Sequence, residues 1–354
     1  MPEQIPNTLF YTTTKPQGLA DGDPVTLSTR LILKAADELG VHWNILPNTK
    51  IIELSYQGVT KYFRYQISTE TTDVGFYSCL DKSITSALLT NAGISVPQGF
   101  HLKTSDSEKY WLEVFAALPK PVVVKPTTGN QGKEITLGVE DEGVYVHAVK
   151  KAFLFSNDKE SGVIVESQFT GKEYRIIASR KKVIAVAYRM PANVIGDGVQ
   201  TIADLIAVKN SDPRRFDDPN ESLVTIKIDD HVLEYLSDQR LELTSVPEKD
   251  KRIFVRRNSN ISTGGDSIDV TDKIHPSVGE LAIKAVNAVP GLDFAGVDFM
   301  TKNIEAEQNS DSYRIIEINS SPGFSIHEFP FEGKARNAGR EFIYISFPTL
   351  VASI

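Results

Sequence analysis

One cysteine, Cys79, stands among 354 residues. An intramolecular disulfide is therefore excluded, no Cys/His group has the spacing of a structural zinc site, and a reducing compartment is the expectation. Basic residues are also in deficit: 38 Lys and Arg face 46 Asp and Glu, for a formal charge of −8. That balance argues against nonspecific binding to nucleic acid or to an acidic membrane, although a local basic cleft could still hold an anion. No run reaches the roughly 18 apolar residues of a membrane span, and the first residues lack a basic start followed by an apolar core. A cytoplasmic protein with no membrane and no nucleic-acid partner is predicted. Hydrophobic residues make up 41% of the chain, enough to give two or three domains of ~150 residues their own cores.

The pattern along the chain predicts a mixed α/β and α+β protein. "TLSTRLILKAADELGV" reads as an amphipathic helix with Leu31, Leu33, Ala36, Leu39 and Val41 inward and Gly40 as its stop. "IIELSYQGVTKYFRYQIS" reads as a hairpin turning at Tyr56-Gln57-Gly58-Val59. Together they predict a small N-terminal α/β domain over 1–78. A helix capped by Asp81 follows. From 121 come strand "PVVVKP", a glycine-containing loop, strand "ITLGV", a helix near 142–156 and strand "GVIVESQ", predicting a lobe of antiparallel strands. "EYRIIASRKKVIAVAYRM" reads as a hairpin turning at Ser179-Arg180-Lys181. A helix around 201–210 leads into "NSDPRRFDDPNES", read as a solvated loop with a mobile basic tip. "HPSVGELAIKAVNAV" then reads as a helix, and "FAGVDFMT" and "YRIIEINSS" as strands.

Those last two strands carry the first sign of chemistry. Asp298, Glu317 and Asn319 are oxygen-bearing side chains among apolar neighbours, and the strand period of two puts Glu317 and Asn319 on one face. Burying such carboxylates unpaired costs several kcal/mol. A hard divalent cation such as Mg²⁺ removes that cost by accepting carboxylate and carboxamide oxygens. A solvated face, or carboxylates paired with arginines, is the alternative that composition leaves open. Lys125 ends an apolar run, where a buried stem can present its ammonium to an anion; a surface lysine at a strand end is the plainer reading. The loop after it holds Gly129 and Gly132, which allow backbone amides close to phosphate. It is no Walker A loop, because Thr127 and Glu134 stand where that motif needs Gly and Ser or Thr, and no dinucleotide fingerprint is present. Glu166 follows an apolar strand, with Glu173 seven residues on. "RRNSNISTGGD", 256–266, sets adjacent arginines beside a Gly264-Gly265 pair, a composition suited to a carboxylate or phosphoryl oxygen, or to an ordinary polar turn.

In order, these stretches resemble the ATP-grasp superfamily, and more closely the ATP-grasp portions of cyanophycin synthetases and bifunctional glutathione synthetases. The likeness spans about residues 80–335, and "NISTGGDSIDVTD" is its most distinctive part. It implies an ATP-grasp fold over 79–354, with a smaller nucleotide-clamping lobe over about 120–170 and a metal and substrate lobe over about 171–350. It implies ATP and Mg²⁺ as cofactors, with Mn²⁺ as a substitute. Lys82, Lys125 and the loop holding Gly129, Asn130 and Gly132 would meet the phosphates, and Glu166, Phe169 and Glu173 the adenosine. Asp298, Glu317 and Asn319 would ligate the metal. Arg257, Asn260, Gly264 and Gly265 would form the catalytic region, where an acyl phosphate is stabilised and the acceptor carboxylate placed.

The implied activity is a carboxylate-amine ligase that makes an amide or peptide bond from amino-acid or short-peptide substrates, releasing ADP and phosphate. A catalytically silent ATP-binding regulatory or scaffold module is the alternative. The roughly 75 residues ahead of the match are too few for the second catalytic domain of either relative, so neither whole-protein activity transfers. The "DPRR" tip and Arg175 point to an acidic substrate. A homo-oligomer, dimer or tetramer, is expected from the family.

Overall fold

The computed structural model describes Pro16, Gly18, Leu19 and residues 25–128, 135–155, 162–218 and 221–353. Gly129, Asn130 and Gly132, expected to meet phosphate, lie outside the described residues. Packing divides the chain into two compact units, each assembled from separate segments. The first comprises Met1–Thr69, Ile184–Asp272 and Ser321–Ile354; the second comprises Glu70–Val183 and Lys273–Ser320.

The first unit opens with helix Leu27–Glu38, begun by Thr26, whose hydroxyl accepts from the Thr29 amide. Such a cap is worth about 1 kcal/mol. Gly40, at φ +69°, takes the left-handed conformation that ends the helix. Ile51–Tyr56 and Val59–Arg64 form the expected hairpin within an antiparallel sheet completed by His42–Ile45 and Ile67–Ser68. Helix Ala338–Ser346 lies against Leu27–Glu38, with Phe342 edge-on to Phe63 at 5.4 Å. Gly339 permits that approach, since a Cβ there would stand 2.7 Å from the Leu31 carbonyl oxygen. A second part of this unit pairs Val183–Met190 with Asp266–Asp269, and Asn193–Ile195 with Arg252–Phe254. Its core gathers Ile202 and Ile206 of helix Ile202–Asn210 with Val232 and Leu236 of helix Asp230–Asp238.

The second unit holds an antiparallel sheet in the order Gly99–Leu102, Val163–Ser167, Val122–Pro126, Thr136–Val139. Helices Glu108–Ala117 and Glu142–Phe155 cover it through Trp111, Phe115, Tyr145 and Val149. Each of those side chains gains about 1.5–3 kcal/mol by leaving water. In the same unit Phe294–Thr301 runs between Lys172–Ser179 and Tyr313–Asn319, antiparallel to both. Helix Pro276–Ala288 packs on these strands, and helices Asp73–Leu80 and Lys82–Asn91 meet Tyr313–Asn319. The hairpin after Lys172–Ser179 closes where the Ser179 amide donates to the Lys182 carbonyl.

One loop departs from expectation. The "DPRR" tip is not a solvated, mobile point: Arg215 is buried and Arg214 is held by Asp212 and the Phe331 carbonyl. A buried carboxylate, Asp266, draws Arg215 inward.

Candidate active site

The second unit brings most of the expected residues together. Asp298 stands directly opposite Glu317, and Gly296 opposite Asn319, so the three oxygen-bearing side chains share one face of an antiparallel pair. Arg175 is the partner of Asp298 on the other side, and its guanidinium grips both carboxylate oxygens through Nε and an NH2 contact of 3.2 Å. Arg175, proposed from the sequence to await an acidic substrate, is thus engaged by a carboxylate of its own chain. Lys82 sits 3.6 Å from Glu317. It opens helix Lys82–Asn91, whose first amides are capped by Asp81, while the Lys82 backbone amide donates to the Thr127 carbonyl. A row of Lys82, Glu317, Asp298 and Arg175 results, with two cations flanking two anions.

Asn319 completes this face with a buried amide nitrogen that has no hydrogen-bond partner among the described residues. An unmade buried hydrogen bond costs about 1–3 kcal/mol; the nitrogen is a donor, and the carboxamide oxygen is the atom that a cation would take. No group of three or more His, Cys, Asp or Glu able to hold a metal occurs among the described residues; the donor set here is two carboxylates and a carboxamide. That set fits a hard, oxygen-seeking cation and would suit zinc poorly. Cys79 lies nearby. Burial first, and then the Glu317 charge, push its thiol up to about 12, against a lowering bond from the Ser320 backbone. It is consequently a neutral thiol at physiological pH and a poor nucleophile.

Two of the residues expected at the nucleotide, Lys125 and Glu166, are organised by the four-stranded sheet. Lys125 and Glu166, both buried, join at 2.6 Å. The backbone brings this about, since Val123 pairs with Glu166 and Lys125 with Ile164. Gly99 is required on the other flank: a Cβ there would stand 2.8 Å from the Glu166 Cβ and 2.6 Å from the Val165 carbonyl oxygen. Phe169 carries the Arg314 guanidinium 5.0 Å from its ring centre, a contact that sequence reasoning missed and that only the tertiary pairing could reveal. Glu173 lies opposite Met300 at the end of the same ladder that holds Arg175.

Arg257, Asn260, Gly264 and Gly265 belong to the first unit. Arg257 is 56% exposed, bonded to Asp238 and set over the Tyr235 ring. Its neighbour Arg256 is the buried one, held by Asp229 and the Lys227 carbonyl. The two adjacent arginines therefore each find an anion inside the chain. Asn260 precedes the short 3-10 turn Ile261–Thr263, and Gly264 ends it at φ +98°. A side chain at Gly264 would press to 2.8 Å from the Ile226 Cα, and one at Gly265 to 2.8 Å from the Met190 carbonyl oxygen, so both glycines are fixed by close packing.

The fold is the ATP-grasp fold, and over nine-tenths of its length the chain is related to ATP-grasp ligases. It is 35% identical over 331 residues to the glutathione biosynthesis bifunctional protein GshAB of Clostridium perfringens, covering 92% of this chain and 41% of that protein. It is 33% identical over 321 residues to the cyanophycin synthetase of Trichormus variabilis, covering 91% of this chain and 35% of that one. The crystal structure of a bifunctional glutathione synthetase from Pasteurella multocida superposes with a TM-score of 0.70 at 33% identity, over 92% of this chain and 45% of that one. The chain thus spans less than half the length of these relatives. No protein-family model matches it. No helix among the described residues is long and apolar enough to cross a membrane.

Proposed function

We propose that this chain is an ATP-dependent carboxylate-amine ligase that joins amino acids or short peptides through an acyl phosphate. The observation that carries the reading is the row of Asp298 and Glu317 between Arg175 and Lys82, with the unsatisfied Asn319 on the same face. Names among the relatives, a glutathione biosynthesis protein and a cyanophycin synthetase, support amide formation from amino-acid substrates.

A free carboxylate acylates poorly because its leaving group would be oxide. In the proposed reaction a carboxylate oxygen attacks the γ-phosphorus and ADP departs with the bridging oxygen. An amine then adds to the acyl carbon, loses a proton, and expels phosphate with the former C–O bond pair. Lys82 and Lys125 hold phosphate charge as the transfer proceeds. Glu166 fixes the Lys125 stem and ammonium, leaving further N–H donors for the nucleotide. Asp298, Glu317 and Asn319 would hold Mg²⁺, which when bound supplies charge neutralisation on the triphosphate. Arg257 and the 260–265 turn would receive the substrate carboxylate. No side-chain nucleophile is needed, in keeping with the neutral Cys79 thiol.

Incubation with ATP, Mg²⁺ and pooled amino acids tests the proposal. ADP and a condensed product observed by mass spectrometry are expected. AMP and pyrophosphate would indicate adenylation instead. Nucleotide binding with no ADP across a broad panel would favour a silent ATP-binding module.

A further inference from the structure

The buried charges behind the 260–265 turn have no role in the reaction as described. Asp266, directly after Gly265, is 1% exposed, and it accepts from Arg215, from Lys209 Nζ at 2.6 Å and from Asn193 Nδ2 at 2.9 Å. Arg215 also donates to the Val224 carbonyl at 2.6 Å and to the Gly264 carbonyl at 3.3 Å. A single guanidinium therefore ties two segments together: the stretch at Val224, and the turn through its left-handed Gly264 and the carboxylate that follows. Ile226, which walls Gly264, is itself fixed by the Asn210 side chain, which donates to its carbonyl at 2.9 Å and accepts from its amide at 2.8 Å.

Resting on the proposed ligase reading, we infer that Arg215, anchored by Asp266, which Lys209 in turn holds, is a positioning residue that sets the 260–265 turn for the reacting carboxylate. A largely buried ion cluster is a weak source of stability, since its desolvation offsets most of the attraction, but it is directional. The planar fork reaches Asp266 and two carbonyls at once. A lysine's point charge cannot reproduce that geometry. The terminal nitrogens of Arg215 and the Lys209 ammonium are taken up by Asp266 and backbone carbonyls, and Arg214 by Asp212; Arg215 Nε alone is buried with no hydrogen-bond partner among the described residues, and the bonds that are made run to the turn and its flanks, which argues for support of the turn.

The test compares wild type with Arg215→Lys and Asp266→Asn in the full-length chain, following Mg·ATP binding, ADP release, amide product and amide hydrogen exchange. Arg215→Lys should bind Mg·ATP within about threefold of wild type and lose at least about 30-fold in kcat with a smaller change in KM for nucleotide. ADP per amide formed should rise as the acyl phosphate is lost to water, and exchange should quicken over 260–266 with 313–319 unchanged. If Arg215→Lys fails to fold, Lys209→Gln, which removes one anchor of Asp266, should show the same pattern in milder form. An active wild type whose Arg215→Lys and Lys209→Gln match it in kcat, coupling and exchange overturns the inference alone. A wild type that releases no ADP with any pooled substrate overturns the proposed activity, and this inference with it.

Discussion

Asp298 and Glu317 face each other directly across two antiparallel strands, yet each carboxylate leans on a different cation, Asp298 on Arg175 and Glu317 on Lys82. Two anions at such a spacing repel unless compensated, and here the compensation comes from outside the pair, with Asn319 on the same face. Asp298→Asn and Glu317→Gln preserve shape while removing one charge each. Each should lower ADP release at least about 100-fold, the scale expected when charge stabilisation of a transferring phosphoryl group is lost. Circular dichroism and the melting temperature should stay close to wild type. Full activity in both variants would remove the metal assignment.

The pairing of Lys125 with Glu166 yields a double-mutant prediction. Lys125→Met strands a buried carboxylate and should cost about 3–5 kcal/mol by denaturant titration. Adding Glu166→Gln removes the stranded charge and should recover much of that loss. Nucleotide affinity should not recover, because the ammonium is gone in both. A double variant that regains both stability and binding would show that Lys125 is structural only.

Period and capping made much of this legible in advance. The hairpin at 56–59, the helix opened by Asp81 and the strands bearing Asp298 and Glu317 are local patterns, and local rules place them. Partners across the fold were not legible. Arg175 lies 123 positions from Asp298, and nothing in "EYRII" says which carboxylate it meets. The "DPRR" loop misled for a related reason. Charged residues in a polar stretch read as solvated, and only Asp266, beyond the glycine pair, turns Arg215 into a buried ion. Likewise the choice between Arg256 and Arg257 as the inward one depends on where Asp229 and Asp238 fall on their helix.

Glu328 predicts a pH dependence of stability. It is half-buried beside the start of helix Ala338–Ser346, accepting from the Gly339 amide at 3.0 Å. Burial raises its carboxyl to about 7, opposed by the Gly339 and Ala338 amides and by Lys34, with Glu38 adding to the rise. A raised folded-state value means that the unfolded chain ionises first. Stability is therefore unaffected by this group well below pH 4.5, falls as pH climbs from there to about 7, and stays reduced above. Glu328→Gln should gain on the order of 2 kcal/mol relative to wild type at pH 8 and nothing at pH 4. Urea titrations at the two pH values measure this, and an equal difference at both would show that the carboxyl does not titrate as described.

Arg256 and Arg257 offer the sharpest separation of structure from chemistry, because they are adjacent in sequence and opposite in burial. Arg256→Ala removes a buried guanidinium and leaves the Lys227 carbonyl and Asp229 without it, so about 2 kcal/mol of stability should be lost even with Asp229 partly in water. Arg257→Ala gives up an exposed pair with Asp238 and a cation–π contact with Tyr235, together worth about 1 kcal/mol or less. Its melting temperature should barely move. If Arg257 meets the reacting carboxylate, as the ligase reading requires, the same variant should lose at least about 100-fold in kcat, and Arg257→Lys should restore only part of it, since the planar fork is lost. Equal kcat in wild type and Arg257→Ala would leave Arg257 as a surface ion pair, and the acceptor carboxylate would then need another cation.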